Sequence, residues 1–307
     1  MRLLFVAKIA ASTVLLAWVL SRADLADILA AMQAAHISLL LAAYSLDLVG
    51  YLISAARWRI LLRAQAVEVP SSFLVKSLLV AAFFNNILPS TVGGDASRAY
   101  DSYRLAGRQG RAISSVLIER LLGLLVLVAF ALLSLPFATR LADRWQLGFW
   151  LAIAGAGLLV MVWAIFFGRS WPSLQRLLSR LPARLARPGL LLWHALQVYR
   201  GRRRALVLTV LLSTLLQMNV VLYFILVSSA LDLAVPEFNF FLIVPLVSFM
   251  MMLPISINGI GLRENALAVM LGWHGVTTAD AVAFAWLVYL GGLLFGLVGA
   301  VVYALRR

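Results

Sequence analysis

The residues that could carry chemistry lie where two apolar segments are interrupted. The first interruption reads LPSTVGGDASR, from Leu88 to Arg98, and the second reads LPISINGIGLR, from Leu253 to Arg263. Each places a glycine five residues after its proline and an arginine nine residues after it. An arginine guanidinium presents a planar fork of N–H donors that matches phosphate or carboxylate. The two interruptions therefore predict two halves of an anion-binding site.

Proline and glycine explain why a helix would break at these places. Pro89 and Pro254 lack the backbone N–H that the interior of a helix requires. Gly94 and Gly259 permit a tight turn and a close approach of backbones. Asp95 stands where a second half-helix would begin, which is a capping position. Such a helix directs its positive N-terminal end toward the break and favours an anion there.

Further polar residues in apolar surroundings join the two arginines in the predicted site. The amides of Asn86 and Asn258 can satisfy backbone groups that the breaks set free, and Glu119 and Arg120 form a charged pair inside an apolar segment. Ionisable groups inside a membrane segment are costly and indicate function by default. The predicted substrate-binding residues are Asn86, Asp95, Arg98, Glu119, Arg120, Asn258, Arg263 and Glu264.

Structural roles for these charges are the alternative, and the sequence leaves them open. Asp95 would then cap its helix and pair with Arg98. Glu119 would neutralise Arg98 or Arg111. Asp47, in the middle of the apolar stretch YSLDLVGY, is either a proton-coupling acid or the partner of a buried arginine.

The composition places these residues in a membrane. Of the 307 residues 64% are hydrophobic and 12% are charged, whereas a soluble domain is about 25% charged. The mean hydropathy is +0.99. The net charge of +14 does not indicate nucleic acid, because the basic residues flank apolar segments. They predict contacts with anionic lipid at the cytoplasmic face.

The sequence offers little for covalent catalysis. There is no cysteine, and the 3 histidines are scattered along the chain. No glycine-rich phosphate loop with a lysine is present. We therefore expect no catalytic residues, no metal and no cofactor, and we expect that the protein is not an enzyme.

Apolar segments of sufficient length predict the number of membrane spans. A bilayer core of ~30 Å needs roughly 20 residues of helix. Six segments qualify: Leu3–Leu20, Ser38–Ala56, Ala112–Ala138, Leu147–Phe167, Ala205–Ser228 and Asp280–Leu305. The shorter Ser71–Leu88 and Phe238–Leu253 end in the interruptions. With a cytoplasmic N-terminus, most lysines and arginines outside the spans are cytoplasmic, provided that both shorter segments return to the side they enter from. We predict an all-α polytopic membrane protein with six transmembrane helices, two re-entrant broken-helix hairpins and both termini cytoplasmic.

The order of segments repeats along the chain. Pro254 follows Pro89 by 165 residues, and each half reads span, span, hairpin, span, in opposite orientation. An inverted-topology repeat of this kind places its substrate site near the bilayer midplane, where the broken helices meet. We predict one membrane domain over residues 1–307, with a first repeat over 1–138 that contains the hairpin 71–110 and a second over 139–307 that contains the hairpin 238–279.

Two further stretches have a recognisable composition. The segment 168–204 is rich in arginine and has no acid, so it is either an interfacial amphipathic element or a plain cytoplasmic loop. The run GGLLFGLVG, from Gly291 to Gly299, predicts a face on which another helix packs closely.

Three motifs together resemble a known family. NNILPSTVGGDASRAY, SSVLIER followed by LLGLL, and LPISINGIGLRENAL are similar to the lysylphosphatidylglycerol synthase transmembrane-region family, also called flippase-like domain proteins. The resemblance runs from about Leu3 to Leu305. It implies lipid handling in a bacterial cytoplasmic (inner) membrane, and the residues that match the family's polar pattern are Asp95, Arg98, Glu119, Arg120, Arg263 and Glu264.

The resemblance does not extend to the aminoacyl-transferase domain that the best-known members carry. No part of these 307 residues has the composition of such a soluble domain, so we expect lipid transport rather than aminoacyl transfer. The substrate would be an anionic or aminoacylated phospholipid or a lipid-linked headgroup. The alternatives are a secondary transporter of a soluble anion, with Asp47 or Glu119 as the coupling acid, and a membrane scaffold for a separate lipid-modifying enzyme. A homo-oligomer or a lipid-biosynthesis enzyme is the expected protein partner.

Overall fold

The computed structural model describes residues 2–87, 93–106, 109–134, 153, 155–157, 159–160, 190, 197–199, 201–253 and 255–306. These residues form helices and turns, and no strand lies among them. The helices with described bounds are α1 (Arg2–Leu20), α2 (Leu25–Ala34), α3 (Ile37–Arg63), α4 (Ser71–Ile87), α5 (Gly93–Ala106), α6 (Gln109–Ser134), α7 (Arg203–Ala230), α8 (Phe240–Met252), α9 (Leu262–Gly272) and α10 (Thr278–Leu305). A 3-10 turn at Glu237–Asn239 leads into α8.

In the part of the chain that the structure describes, four helices are long and apolar enough to cross a membrane: α3, the part of α6 over Ser114–Ser134, α7 and α10. Shorter apolar helices accompany them, among them α2, α4 and most of α1. The predicted class, an all-α polytopic membrane protein, is confirmed. The predicted span Leu147–Phe167, the basic segment 168–204, and Pro89 and Pro254 lie largely or wholly outside the described residues. The count of six spans therefore stays a prediction.

Helix α3 continues about two turns beyond the predicted span, which ended at Ala56. The added turns carry Trp58, Leu61 and Leu62, and all three side chains are buried. Burial of these apolar groups stabilises the extension despite the arginines between them. As a result Arg57 enters the bundle and does not stay at a membrane surface.

Helix α2 is an element that the apolar pattern did not predict, because its 10 residues are too few for a span. The Asp24 side chain caps it by accepting a hydrogen bond from the Ala26 N–H at 2.9 Å. The buried Ile28 packs with Val282 and Ala283 near the start of α10. Asp24 just before an apolar stretch was the available signal for this helix.

The first predicted hairpin is a pair of antiparallel helices, α4 and α5. Near the break, the Gly94 N–H donates to Asn85 Oδ1 at 2.8 Å. Far from the break, the Ser77 hydroxyl donates to the Asp101 carboxylate. Helices α8 and α9 form the second pair and also pack against each other. Each pair therefore brackets the interruption that the sequence placed there.

The two halves of the chain interlock. Helices α3 and α7 are antiparallel, because the His36 N–H donates to the Ala230 carbonyl at 2.8 Å and the Tyr199 hydroxyl donates to the Leu61 carbonyl at 3.1 Å. In the first broken pair α4 packs on α10, and in the second α8 packs on α6. The first helix of each broken pair thus contacts the last helix of the other half.

The glycine run of α10 is a close-packing face, as predicted. A Cβ at Gly299 would overlap the backbone carbonyl of Leu79, and one at Gly296 would overlap the Asn86 side chain. Helix α4 therefore approaches α10 at backbone distance, which small residues permit between membrane helices. This contact holds Asn86, at the end of α4, against the middle of α10.

Candidate functional site

A cluster of charged side chains joins α3, α5 and α6. Glu119 of α6 forms an ion pair with Arg98 of α5, and its Oε1 lies 3.7 Å from Arg57 Nη2. Arg57 Nη2 also donates to the Glu119 carbonyl at 3.0 Å. The Arg98 guanidinium stacks 4.4 Å from the centre of the Trp58 ring. Glu119 and both arginines are buried, so this carboxylate compensates two cations inside the protein.

A second ion pair completes the cluster. Asp95, at the start of α5, pairs with Arg120 of α6. The interpretation that Asp95 pairs with Arg98 is wrong, because the Arg98 side chain reaches Glu119. The interpretation that Glu119 neutralises Arg98 is confirmed. Three arginines and two carboxylates of the described residues meet here, and together they carry one formal positive charge in excess.

Arg263 occupies the corresponding place in the second broken pair, in a different environment. Its side chain is 8% exposed, donates from Nη2 to the Asn258 carbonyl at 3.0 Å, and stacks 4.5 Å from the centre of the Tyr289 ring. Among the residues that the structure describes, no carboxylate forms an ion pair with Arg263, and its buried Nη1 has no hydrogen-bond partner. Arg263 is thus a buried cation whose contacts are neutral.

The neighbouring Glu264 does not form an ion pair with Arg263. Its carboxylate turns to the start of α9 and accepts a hydrogen bond from the Gly261 N–H at 2.7 Å. This contact is the N3 half of a capping box, because Gly261 has no side chain to accept a bond in return, and Glu264 is buried there. The structure therefore gives Glu264 a role in starting the helix that carries Arg263.

The two interruptions meet at a pair of asparagines. Asn258 Nδ2 lies 3.4 Å from Asn86 Oδ1 and 3.4 Å from the Tyr289 hydroxyl, and Asn86 Nδ2 donates to the Gly292 carbonyl at 3.3 Å. Asn258 has a backbone φ of +50°, a left-handed conformation that asparagine tolerates in turns. The predicted residues Asn86, Asn258 and Arg263 therefore lie together.

Asp47 lies in a pocket of tyrosines. A Cβ on Gly291 would lie 2.6 Å from Asp47 Oδ2 and 2.5 Å from the Tyr223 hydroxyl. Tyr44 and Tyr223 donate their hydroxyl groups to carbonyls of α10. In the described part of the chain Asp47 has no ion pair, and its buried Oδ2 has no hydrogen-bond partner. The described residues thus give no support to the interpretation of Asp47 as the partner of a buried arginine.

Three residues of the site were not predicted: Arg57, Trp58 and Tyr289. Arg57 follows directly on a predicted span, so the sequence assigned it to a surface. Tyr289 lies in a continuous apolar run, and nothing in its neighbours along the chain indicates a contact with an arginine. Among the described residues no group of three histidine, cysteine, aspartate or glutamate side chains is placed to hold a metal ion.

Comparisons with known proteins place the chain in one family. No curated protein matches the sequence. The family model described as lysylphosphatidylglycerol synthase TM region matches residues 5–300. The match covers nearly all of the chain, includes both broken pairs and the charged cluster, and confirms the resemblance found in the motifs. This protein belongs to the lysylphosphatidylglycerol synthase TM region family.

Proposed function

We propose that this membrane protein moves a lipid with an anionic headgroup across the bilayer, and that Arg263 binds the headgroup where the two broken pairs meet. The observation that carries the proposal is the environment of Arg263, a buried guanidinium with neutral contacts and a free Nη1 among the described residues. Leaving a buried charge uncompensated costs about 3–5 kcal/mol. A headgroup phosphate would supply the missing counter-charge and accept the remaining N–H bonds.

The packing of the two halves supports a site near the middle of the membrane. Helices α3 to α6 and α7 to α10 follow the same order of long, short, short and long, and α3 is antiparallel to α7. These features favour the inverted-topology repeat. In such repeats the substrate site lies between the broken helices near the midplane. Asn86 and Asn258, which contact each other between the two broken pairs, would lie at this position.

The distribution of basic residues supports a cytoplasmic position for one end of the bundle. Helix α3 ends there with Arg63, α7 begins there at Arg203, and α10 ends there beside Arg306. Excess lysine and arginine near span ends marks the cytoplasmic side. We infer an inner membrane protein with both termini in the cytoplasm.

The charged cluster around Glu119 and the acid Asp47 have different roles in the proposal. The cluster has one positive charge in excess, so it offers a second contact for the anionic headgroup beside the first break. Asp47 is the coupling acid, because its buried Oδ2 lacks a hydrogen-bond partner among the described residues and can take up a proton. The proposed process is transport, with no covalent step.

The test is lipid translocation in proteoliposomes of purified protein. Headgroup-labelled analogues of phosphatidylcholine, phosphatidylglycerol, lysylphosphatidylglycerol and a polyprenyl phosphate would be compared, with and without a pH gradient. We expect at least one anionic or aminoacylated lipid to cross faster than in protein-free vesicles. Arg263→Gln should lower its initial rate about tenfold or more, since a hydrogen bond to a charged group contributes about 1.5–3 kcal/mol.

Conservative variants and a matched control sharpen the test. Arg263→Lys keeps the charge and loses the fork, so its rate should fall between wild type and Arg263→Gln. Arg22→Gln, an exposed arginine stacked on Trp18, should translocate like wild type. Asp47→Asn should lose only the response to the pH gradient. If no lipid of the panel crosses above the protein-free rate, or if Arg263→Gln transports like wild type, the proposal is wrong.

A further inference from the structure

A cavity of about 400 Å³ with charged and aromatic lining lies between α4, α5 and the end of α10, apart from Arg263. One wall is a face of α5 on which Ser97, Asp101 and Arg104 follow one another at helical spacing. Arg306, just beyond the end of α10, contributes a second guanidinium. None of these four residues belongs to the proposed midplane site.

The charges that line this cavity are unbalanced toward the positive. Asp101 is 8% exposed and accepts from Arg306 Nη1 at 2.9 Å and from the Ser77 hydroxyl. Arg306 Nη2 is buried and has no hydrogen-bond partner in the part of the chain that the structure describes. Arg104 is exposed and forms no ion pair with any described residue. Two guanidinium groups therefore face a single carboxylate. The Nη2 group of Arg306 remains available to donate to an anion.

The opposite wall is aromatic. Phe84 and Tyr303, which both line the cavity, meet edge to face with ring centres 5.2 Å apart. Outside the lining, the ring centre of Phe73 lies 5.5 Å from the guanidinium carbon of Arg306. Tyr100 and Tyr303 are 61% and 49% exposed at the rim. A wall of this kind contacts apolar chain or glycerol backbone, whereas the α5 face contacts a charged group. The cavity thus fits an amphiphilic anion better than a fully hydrated one.

The cavity leads from the end of the bundle toward the break. Its lining on α5 runs from Arg104 back to Gly93, the first residue of the helix. Eleven residues of helix extend about 16 Å, which is about half of a bilayer core of ~30 Å. A headgroup bound at Arg104 and Arg306 would therefore lie at the end of the cavity that is farther from the break.

The equivalent face of the second broken pair lines a groove without charged side chains. Asn265, Ala266 and Val269 of α9, which follow Tyr100, Asp101 and Arg104 by 165 residues, line a groove of about 490 Å³ with apolar residues of α1 and α8. The two ends of the molecule therefore differ, although the helices correspond. Only the α5 face carries the charges.

We infer that the cavity between α4, α5 and α10 is a loading site for the phosphate headgroup of a lipid, at the end of the bundle where α10 finishes. Arg104 and Arg306 bind the phosphate, Asp101 competes with the phosphate for Arg306, and the aromatic wall holds the start of the acyl region. The inference deepens the proposed function, since it assigns the place where the same substrate first binds.

The experiment measures equilibrium binding to the purified full chain in a neutral detergent by microscale thermophoresis. The probes are dioctanoyl phosphatidic acid, inorganic phosphate and dioctanoylglycerol, which separate the lipid phosphate from its two parts. We expect phosphatidic acid to bind at least about tenfold tighter than either of the others, because only it engages both walls. Arg104→Gln and Arg306→Gln should each weaken its binding about tenfold.

A gain of affinity distinguishes binding from a structural role. Asp101→Asn removes the competing carboxylate and should tighten phosphatidic acid binding, whereas loss of a structural contact would weaken it. Arg63→Gln, an exposed arginine at the same end of the bundle, is the matched control and should leave Kd unchanged. Arg104→Gln should weaken phosphatidic acid binding by the same factor in the wild-type protein and in the Arg263→Gln variant, since Arg263 does not line the cavity.

The loading site is overturned if Arg104→Gln and Arg306→Gln bind phosphatidic acid like Arg63→Gln, or if inorganic phosphate binds as tightly as phosphatidic acid. The outcome is independent of the translocation assay. Binding that depends on Arg104 without any translocation would support the loading site and contradict the proposed function. Translocation that depends on Arg263, together with binding that is insensitive to Arg104, would support the proposed function and contradict the loading site.

Discussion

Arg98 and Arg263 stand at the same position of two similar motifs, and their surroundings give them different properties. Arg98 stacks on Trp58 and pairs with Glu119, which also compensates Arg57. Arg263 stacks on Tyr289 and contacts neutral groups among the described residues. A buried cation in contact with a carboxylate stabilises the helix contacts around it, whereas a buried cation without such a contact favours an anionic ligand. The two arginines are therefore equivalent in sequence and different in chemistry.

The compensation at Glu119 can be measured as stability. Glu119→Gln removes the only carboxylate that both buried arginines share in the described structure, so it should lower the free energy of unfolding by about 3–5 kcal/mol. The double variant Arg98→Gln/Glu119→Gln removes one charge of each sign and should recover part of that loss. Chemical denaturation in detergent checks both values. Glu68→Gln, an exposed acid near the end of α3, is the control and should be neutral. A double variant no more stable than Glu119→Gln would contradict the ion-pair explanation.

Among the helices, the contact between α4 and α10 decides where the first break lies. Because Gly299 has no side chain, the backbone of α4 at Leu79 can pack directly against it. Gly296 leaves space for the side chain of Asn86 in the same way. With α4 held in this way, Asn86 reaches both the Gly292 carbonyl and Asn258 of the second broken pair. The close contact of two helices thus positions the junction beside Arg263.

The close contact between α4 and α10 can be tested by adding a methyl group at a glycine of α10. Gly299→Ala places a Cβ on the Leu79 carbonyl and should destabilise the protein by about 1–3 kcal/mol, because backbone has to shift. Gly292→Ala is the matched control on the same helix, since no described atom outside its own helix lies within 4 Å of the added Cβ. There the better helix propensity of alanine should leave stability unchanged or raise it by up to about 1 kcal/mol. Thermal unfolding in detergent compares the two, and equal midpoints would show that α4 does not depend on Gly299.

Across the whole molecule, the two ends of the helical bundle differ in charge. One end gathers the basic residues at the end of α3, before α7 and after α10, and it also holds the cavity between α4, α5 and α10. At the other end, where α3 begins and α7 has ended, the His36 and Asp232 side chains pair at 3.1 Å. From this asymmetry we expect the basic end to face the cytoplasm, as the positive-inside rule predicts.

The orientation can be read by labelling, because the chain has no cysteine. Single cysteines would replace exposed residues at the two ends, Arg63 and Arg202 at one and Arg22 and Asp232 at the other. In intact spheroplasts a membrane-impermeant maleimide should label Arg22→Cys and Asp232→Cys, and should label the other two only after lysis. Labelling of Arg63→Cys and Arg202→Cys from opposite sides would contradict the antiparallel arrangement of α3 and α7. Labelling of both from outside would invert the proposed orientation.

The membrane class and the place of both helix breaks could be predicted from the sequence, because they depend on local chemistry. Long apolar runs have to be helical where water is absent, and proline and glycine interrupt a helix at their own positions. Pro89, Gly94 and Arg98, repeated 165 residues later, therefore indicated the two breaks and their arginines. The same local reasoning missed α2, which is too short for a span and depends on packing against α10.

The partners of the charges were decided only by the tertiary structure. Asp95 and Glu119 each had more than one arginine within reach along the sequence, and packing of α5 against α6 chose Arg120 for the first and Arg98 for the second. The neutral surroundings of Arg263 depend on Tyr289, which lies on a different helix. An ion pair or a stacked ring is a contact in space between elements far apart in the chain, and an apolar pattern or a motif carries no information about which elements meet.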